Sequence, residues 1–154
     1  TFDAESTRAL AARLAERLTG GTLVLLEGEL GSGKTTFAQG LARGLGVVGR
    51  VASPSFTISR EYPTVGGRPR FAHLDLYRLT SAMEVADLAV EELLDDGCVV
   101  AVEWPERAGA LRSSGAVHVR LTDLGGLRRI AVAGCGRAEA AVAGLVVPEG
   151  VCEP

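Results

Sequence analysis

Gly28-Glu29-Leu30-Gly31-Ser32-Gly33-Lys34-Thr35 fits the pattern G-x-x-x-x-G-K-[ST] at every specified position. The flanking sequence supplies the context this pattern needs. Residues 22–26 form a short, continuous apolar run, as expected of a strand covered on both faces. After the glycines, Phe37, Leu41 and Leu45 recur every four residues, which predicts a helix over about 34–45, closed by Gly46. In such a loop the glycines let consecutive backbone N–H groups point inward, and the following helix adds its positive dipole end. Lys34 is the only lysine; the other 15 of the 16 basic residues are arginine. A compact ammonium on a flexible stem suits the β/γ-phosphates of a nucleotide. Thr35 offers a hydroxyl to Mg²⁺.

Outward from this unit, Leu10, Leu14 and Leu18, with Ala11 and Ala15 beside them, predict a first helix over about 4–18. Asp3 or Ser6 is its candidate cap. Residues 51–62 read as loop then strand and 70–77 as a second strand, with Gly66-Gly67 supplying an antiparallel, partly exposed turn. A helix is expected over 83–94, then a buried strand over 98–102 ending in Glu103-Trp104-Pro105. Two further strands, 116–121 and 127–132, are expected across Asp123-Leu124-Gly125-Gly126. The stretch 133–154 shows no clear period and reads as a loosely attached tail. No repeat or linker divides the chain, so residues 1–154 are expected to form one α/β domain.

Composition narrows the class. The chain is 47% hydrophobic, against disorder. No apolar run reaches the roughly 18 residues of a membrane span, and residues 1–16 lack a secretory pattern. A cytoplasmic protein without a membrane role is the expectation. A net charge of −3 without a basic block argues against a free-standing nucleic-acid binder. Cys98, Cys135 and Cys152 form no C-x-x-C pair, and reduced thiols are expected, with Cys98 a core residue.

A Mg-nucleotide site also needs a carboxylate at a neighbouring strand end. Glu103 follows four apolar residues, and Asp75 follows Phe71-Ala72-His73-Leu74. Either can hold Mg²⁺ or orient the attacking water, and spacing does not assign which. The hydroxyl-rich loop Ser53-Pro54-Ser55-Phe56-Thr57 reads as a sensor of the γ-phosphate or as an ordinary turn. Trp104, the only tryptophan, fits base stacking or core filling. His73 and His118 read as structural histidines.

Taken in order, residues 28–36, Ser53-Pro54-Ser55-Phe56-Thr57, Tyr62, His73-Leu74-Asp75-Leu76-Tyr77-Arg78 and Glu103-Trp104-Pro105 resemble the TsaE (YjeE) family of bacterial tRNA threonylcarbamoyladenosine (t6A) biosynthesis. The resemblance runs from about 23 to 105, and more loosely to 130. It implies a P-loop NTPase-like three-layer fold, with a mixed sheet carrying added antiparallel strands. It implies ATP and Mg²⁺ as ligands, and ATP hydrolysis that is slow alone and faster when docked on TsaD and TsaB, which modify adenosine 37 of tRNA. Contact with tRNA would then be indirect.

By that resemblance Gly31, Ser32, Gly33, Lys34, Thr35 and Thr36 hold the phosphates, Thr35 and Glu103 hold Mg²⁺, and Asp75 positions water or metal. Trp104, Thr7 and Arg128 would lie near the nucleotide. Ser55 stands where the family has Thr, keeping the hydroxyl. The competing reading is a small-molecule or nucleoside kinase, which normally carries an arginine-rich lid that this chain lacks as a cluster. A guanine-specific switch is disfavoured: N-K-x-D needs an asparagine, and the chain has none.

Overall fold

The computed structural model describes residues 1, 3–54, 58–79, 89–108, 111 and 115–145. The first half of the expected helix over 83–94, residues 83–88, lies outside the described residues, as do Ser55, Phe56, Thr57 and Cys152.

Asp3 caps the first helix, α1 (Ala4–Ala15): its side chain accepts from the Ser6 amide, and the Ser6 side chain answers at the Asp3 amide. The helix stops three residues short of its apolar stripe. Arg17 and Leu18 donate to Leu14 and Ala15, i→i−3 bonds that tighten the chain ahead of Gly20-Gly21, yet Leu18 stays buried. Next come β1 (Leu23–Glu27), the glycine loop, and α2 (Lys34–Gly44). At the end of α2, Gly46 has a φ of 77°, and Val47 N–H reaches back to Ala42 O at 2.9 Å, a Schellman closure.

β2 (Ser59–Tyr62) and β3 (Phe71–Asp75) form the expected antiparallel hairpin. β3 ends two residues earlier than the apolar pattern predicts, because Asp75 Oδ1 accepts from the Tyr77 amide and turns the chain. Then follow α3 (Val90–Asp95), β4 (Val99–Glu103), a 3₁₀ turn (Pro105–Ala108), β5 (Val117–Asp123) and β6 (Arg128–Gly134). A 3₁₀ turn (Gly136–Ala138) leads into α4 (Glu139–Val142).

The strands make one sheet in the order β2-β3-β4-β1-β5-β6. The inner pairs β3–β4, β4–β1 and β1–β5 are parallel, and β2 and β6 add antiparallel edges. This is the mixed sheet with added antiparallel strands that the family resemblance implies. Alternation sorts the central strands onto two cores. Val24, Leu26, Val99 and Ala101 face one core with Leu14, Phe37 and Leu41 of α1 and α2. Leu23, Leu25, Val100 and Val102 face the other, with Leu76 and Val90. Two apolar faces on one sheet are the physical content of a three-layer α/β fold.

The first face is close-packed at the α1–α2 crossing. A Cβ on Gly40 would lie 2.5 Å from Arg8 O, and one on Gly44 would lie 2.4 Å from Ala12 O. Arg68 donates to Ala15 O and Gly44 O, joining the two C-terminal ends. From the C-terminal stretch, Ala138 and Ala141 enter the same core, and Arg17 donates to Ala143 O at 2.6 Å.

Candidate functional site

The parallel register sets the site. Asp75 and Glu103 are register partners at the ends of β3 and β4, and Leu26 of β1 pairs with Glu103. Two carboxylates therefore emerge at the carboxyl edge of the sheet, where the glycine loop leaves β1. In open α/β sheets this edge is where ligands bind. A cleft of about 490 Å³ opens there, and its wall includes Gly31, Gly33, Lys34, Thr35, Thr36 and Arg128. Asp75, Glu103, Trp104 and Ser53 line it from the other side.

Within the loop, Gly33 has a φ of 105° and precedes α2 without a side-chain cap, a conformation glycine adopts without strain. Among the described residues, no acceptor is bonded to the amides of Gly31, Gly33, Lys34, Thr35 or Thr36. Free N–H groups at a glycine-rich helix start form a nest for an anion. Gly28 backs the loop closely: a Cβ there would lie 2.4 Å from Leu121 O.

Lys34 is buried, 4% exposed. Its Nζ donates to Gly28 O at 2.6 Å and Glu29 O at 2.8 Å, and lies 3.9 Å from the Trp104 ring centroid. Burial pushes the ammonium's pKa below the ordinary lysine value, against the pull of Glu103, Glu106, Asp75 and Glu29.

Thr35 Oγ1 donates to Glu103 Oε1 at 2.9 Å. The same oxygen lies 2.9 Å from His73 Nε2, and both Glu103 and His73 are buried. Asp75 is also buried; its Oδ2 accepts from Ser53 Oγ at 2.9 Å, and its amide donates to Ile58 O. Ile58 and Trp104, with φ of 64° and 60°, hold left-handed backbone on either side of the acids. Such conformations cost on the order of 1–3 kcal/mol and cluster at functional sites.

The structure thus brings together Gly31, Gly33, Lys34, Thr35, Thr36, Asp75, Glu103, Trp104 and Arg128 on one cleft. Arg128 reaches it from β6, its Nε donating to Ser32 O at 3.1 Å. Trp104 does both jobs left open by its sequence: it packs against the second core and forms cleft wall. Two residues do not line the cleft. Thr7 is fully buried, its hydroxyl bonded to Asp3 O and to Thr1 Oγ1. The Ser32 side chain is buried without a partner, while its backbone carbonyl accepts from Arg128. The sequence analysis gives Tyr77 and Arg78 no site role, yet both line the cleft, with Tyr77 5.0 Å from Trp104. His73 reads as structural from the sequence; its contact with Glu103 depends on the β3–β4 register, which no local pattern reveals.

The donors fit a hard cation. A threonine hydroxyl and a carboxylate in contact, with a second carboxylate on the next strand, are oxygen ligands of the kind Mg²⁺ prefers. Among the described residues no three His, Cys, Asp or Glu side chains form a metal cage.

Fold and site together define a P-loop α/β protein. The family model described as "Threonylcarbamoyl adenosine biosynthesis protein TsaE" matches residues 1–130, and the chain belongs to the TsaE family. It is 49% identical over 100 residues to the tRNA threonylcarbamoyladenosine biosynthesis protein TsaE of Streptomyces coelicolor, covering 64% of this chain and 67% of that one. It is 44% identical over 115 residues to the TsaE of Synechocystis sp., covering 72% and 71%. The crystal structure of Bacillus subtilis YdiB superposes with a TM-score of 0.78 at 31% identity, covering 94% of this chain and 90% of that chain. No described helix is long and apolar enough to cross a membrane.

Proposed function

We propose that this chain is a Mg-ATP-binding P-loop ATPase of tRNA t6A biosynthesis, working in the cytoplasm as a subunit docked on TsaD and TsaB. The observation that carries the reading is the 2.9 Å contact between the loop's Thr35 and Glu103, with Asp75 in register beside it. A phosphate loop alone binds anions; a loop hydroxyl touching a strand-end acid adds a metal position.

Each residue then has a role. The amides of 31–36 and the positive end of α2 receive the phosphate oxygens. Lys34 neutralises the β/γ-phosphates by turning from Gly28 O and Glu29 O towards the anion. Thr35 and Glu103 would hold Mg²⁺, which when bound neutralises charge building on the phosphate oxygens. Asp75, fixed by Ser53, orients the attacking water. Arg128 lends positive charge from the β6 side, and Trp104 forms the wall beside the nucleotide.

Ser53 belongs to the hydroxyl-rich loop that contacts Asp75. A site whose water-orienting acid hangs on a loop is expected to turn over slowly until a partner fixes that loop. The test is ATP hydrolysis with and without TsaD and TsaB, in Mg²⁺ and in chelator. The expected result is slow, Mg²⁺-dependent turnover, faster with both partners. Phosphate transfer to a small-molecule acceptor instead of water would overturn it in favour of a kinase.

A further inference from the structure

His73 has no assigned role, and its surroundings are unusual for a purely structural histidine. It is 0% exposed in the middle of β3, stacked 6.2 Å from the Phe71 ring. Nε2 lies 2.9 Å from Glu103 Oε1, while Nδ1 has no partner. A carboxylate only accepts, so Nε2 donates this bond, and Nδ1 is left as a buried polar atom without a partner. Leaving such an atom unpaired is costly. The ring is therefore held for its one bond, to Glu103.

That bond has a geometric result. Glu103 Oε1 accepts from two sides, Thr35 Oγ1 and His73 Nε2, each at 2.9 Å. No described residue bonds Oε2. A free carboxylate rotates about its last torsion with broad freedom. Two donors on one oxygen remove that freedom, and of the two only His73 stands outside the proposed metal ligands. We infer that His73 is a positioning residue: it pins Oε1 from the sheet interior and leaves Oε2 for the Mg²⁺ shell. Outer partners that orient a metal ligand typically matter about ten- to a hundredfold in metal affinity.

The inference rests on the Mg-ATP reading, and the experiment separates the two. H73Q and H73M are close in shape, but only Gln offers an N–H where Nε2 stands. Binding of a fluorescent ATP analogue is titrated with Mg²⁺, and separately in EDTA, for wild type and both variants, with unfolding midpoints recorded. The expected result is unchanged EDTA binding in both, a Mg²⁺ requirement raised about tenfold or more in H73M, and a near wild-type requirement in H73Q. Equal Mg²⁺ requirements in H73Q and H73M overturn the inference, whatever their unfolding midpoints. A wild type whose analogue binding ignores Mg²⁺ overturns the underlying reading instead.

Discussion

Lys34 illustrates how a residue can serve binding at a cost to folding. Its ammonium is buried at 4% exposure, with two carbonyl acceptors and an indole as neighbours. Lys34→Ala removes a charge-assisted contact to phosphate, about 1.5–3 kcal/mol, or roughly ten- to a hundredfold in Kd for ATP. Because burial disfavours the charged form, Lys34→Met keeps the stem and drops the cost. Its unfolding midpoint without nucleotide should equal or exceed wild type while ATP binding weakens by a similar factor; a clearly lower midpoint would refute this. The sign of the pH dependence follows from the same burial. The folded pKa lies below the unfolded one, so between the two the unfolded chain holds more protons and stability rises with pH. A bound polyphosphate favours the ammonium. Binding should therefore take up protons in that alkaline window and weaken as pH rises through the lowered pKa. Calorimetry in buffers of different ionisation enthalpy would detect the uptake, and Lys34→Ala should abolish it.

At the scale of elements, the α1–α2 crossing is the tightest join on the first face of the sheet. Ala at Gly40 or Gly44 gains helix propensity of about 1 kcal/mol. It must also displace backbone carbonyls that would sit about 2.5 Å from the new Cβ at Gly40 and 2.4 Å at Gly44. Overpacking of this kind costs typically about 1–3 kcal/mol, and both contacts are with backbone, so Gly40→Ala and Gly44→Ala should each lower the midpoint of urea unfolding. A midpoint at or above wild type would show that the helices separate freely. The elements themselves were largely legible in the sequence, because buried parallel strands read as unbroken apolar runs and α2 as a period of four. Their ends were less so: α1 and β3 stop early because of local hydrogen bonds at Leu18 and Tyr77. The glycine loop and both acids could be found from local pattern. The link from His73 to Glu103 could not, since it spans two strands 30 residues apart.

Across the whole molecule, the two described cysteines sample different depths. Cys98 is fully buried just before β4, and burial pushes its thiol pKa up. Cys135 is exposed. Alkylation followed by peptide mass mapping should label Cys135 rapidly, and Cys98 only at the rate of global opening, accelerating in urea along the unfolding curve. Early labelling of Cys98 would mean that the second face of the sheet opens by itself. The cation stacked on Trp104 carries a different consequence. This is the chain's only indole, and the ammonium 3.9 Å from its ring perturbs the excited state whose light the protein emits. Drawing that cation away towards an arriving anion changes the colour or brightness of the emission, so the unlabelled chain contains its own optical gauge of occupancy.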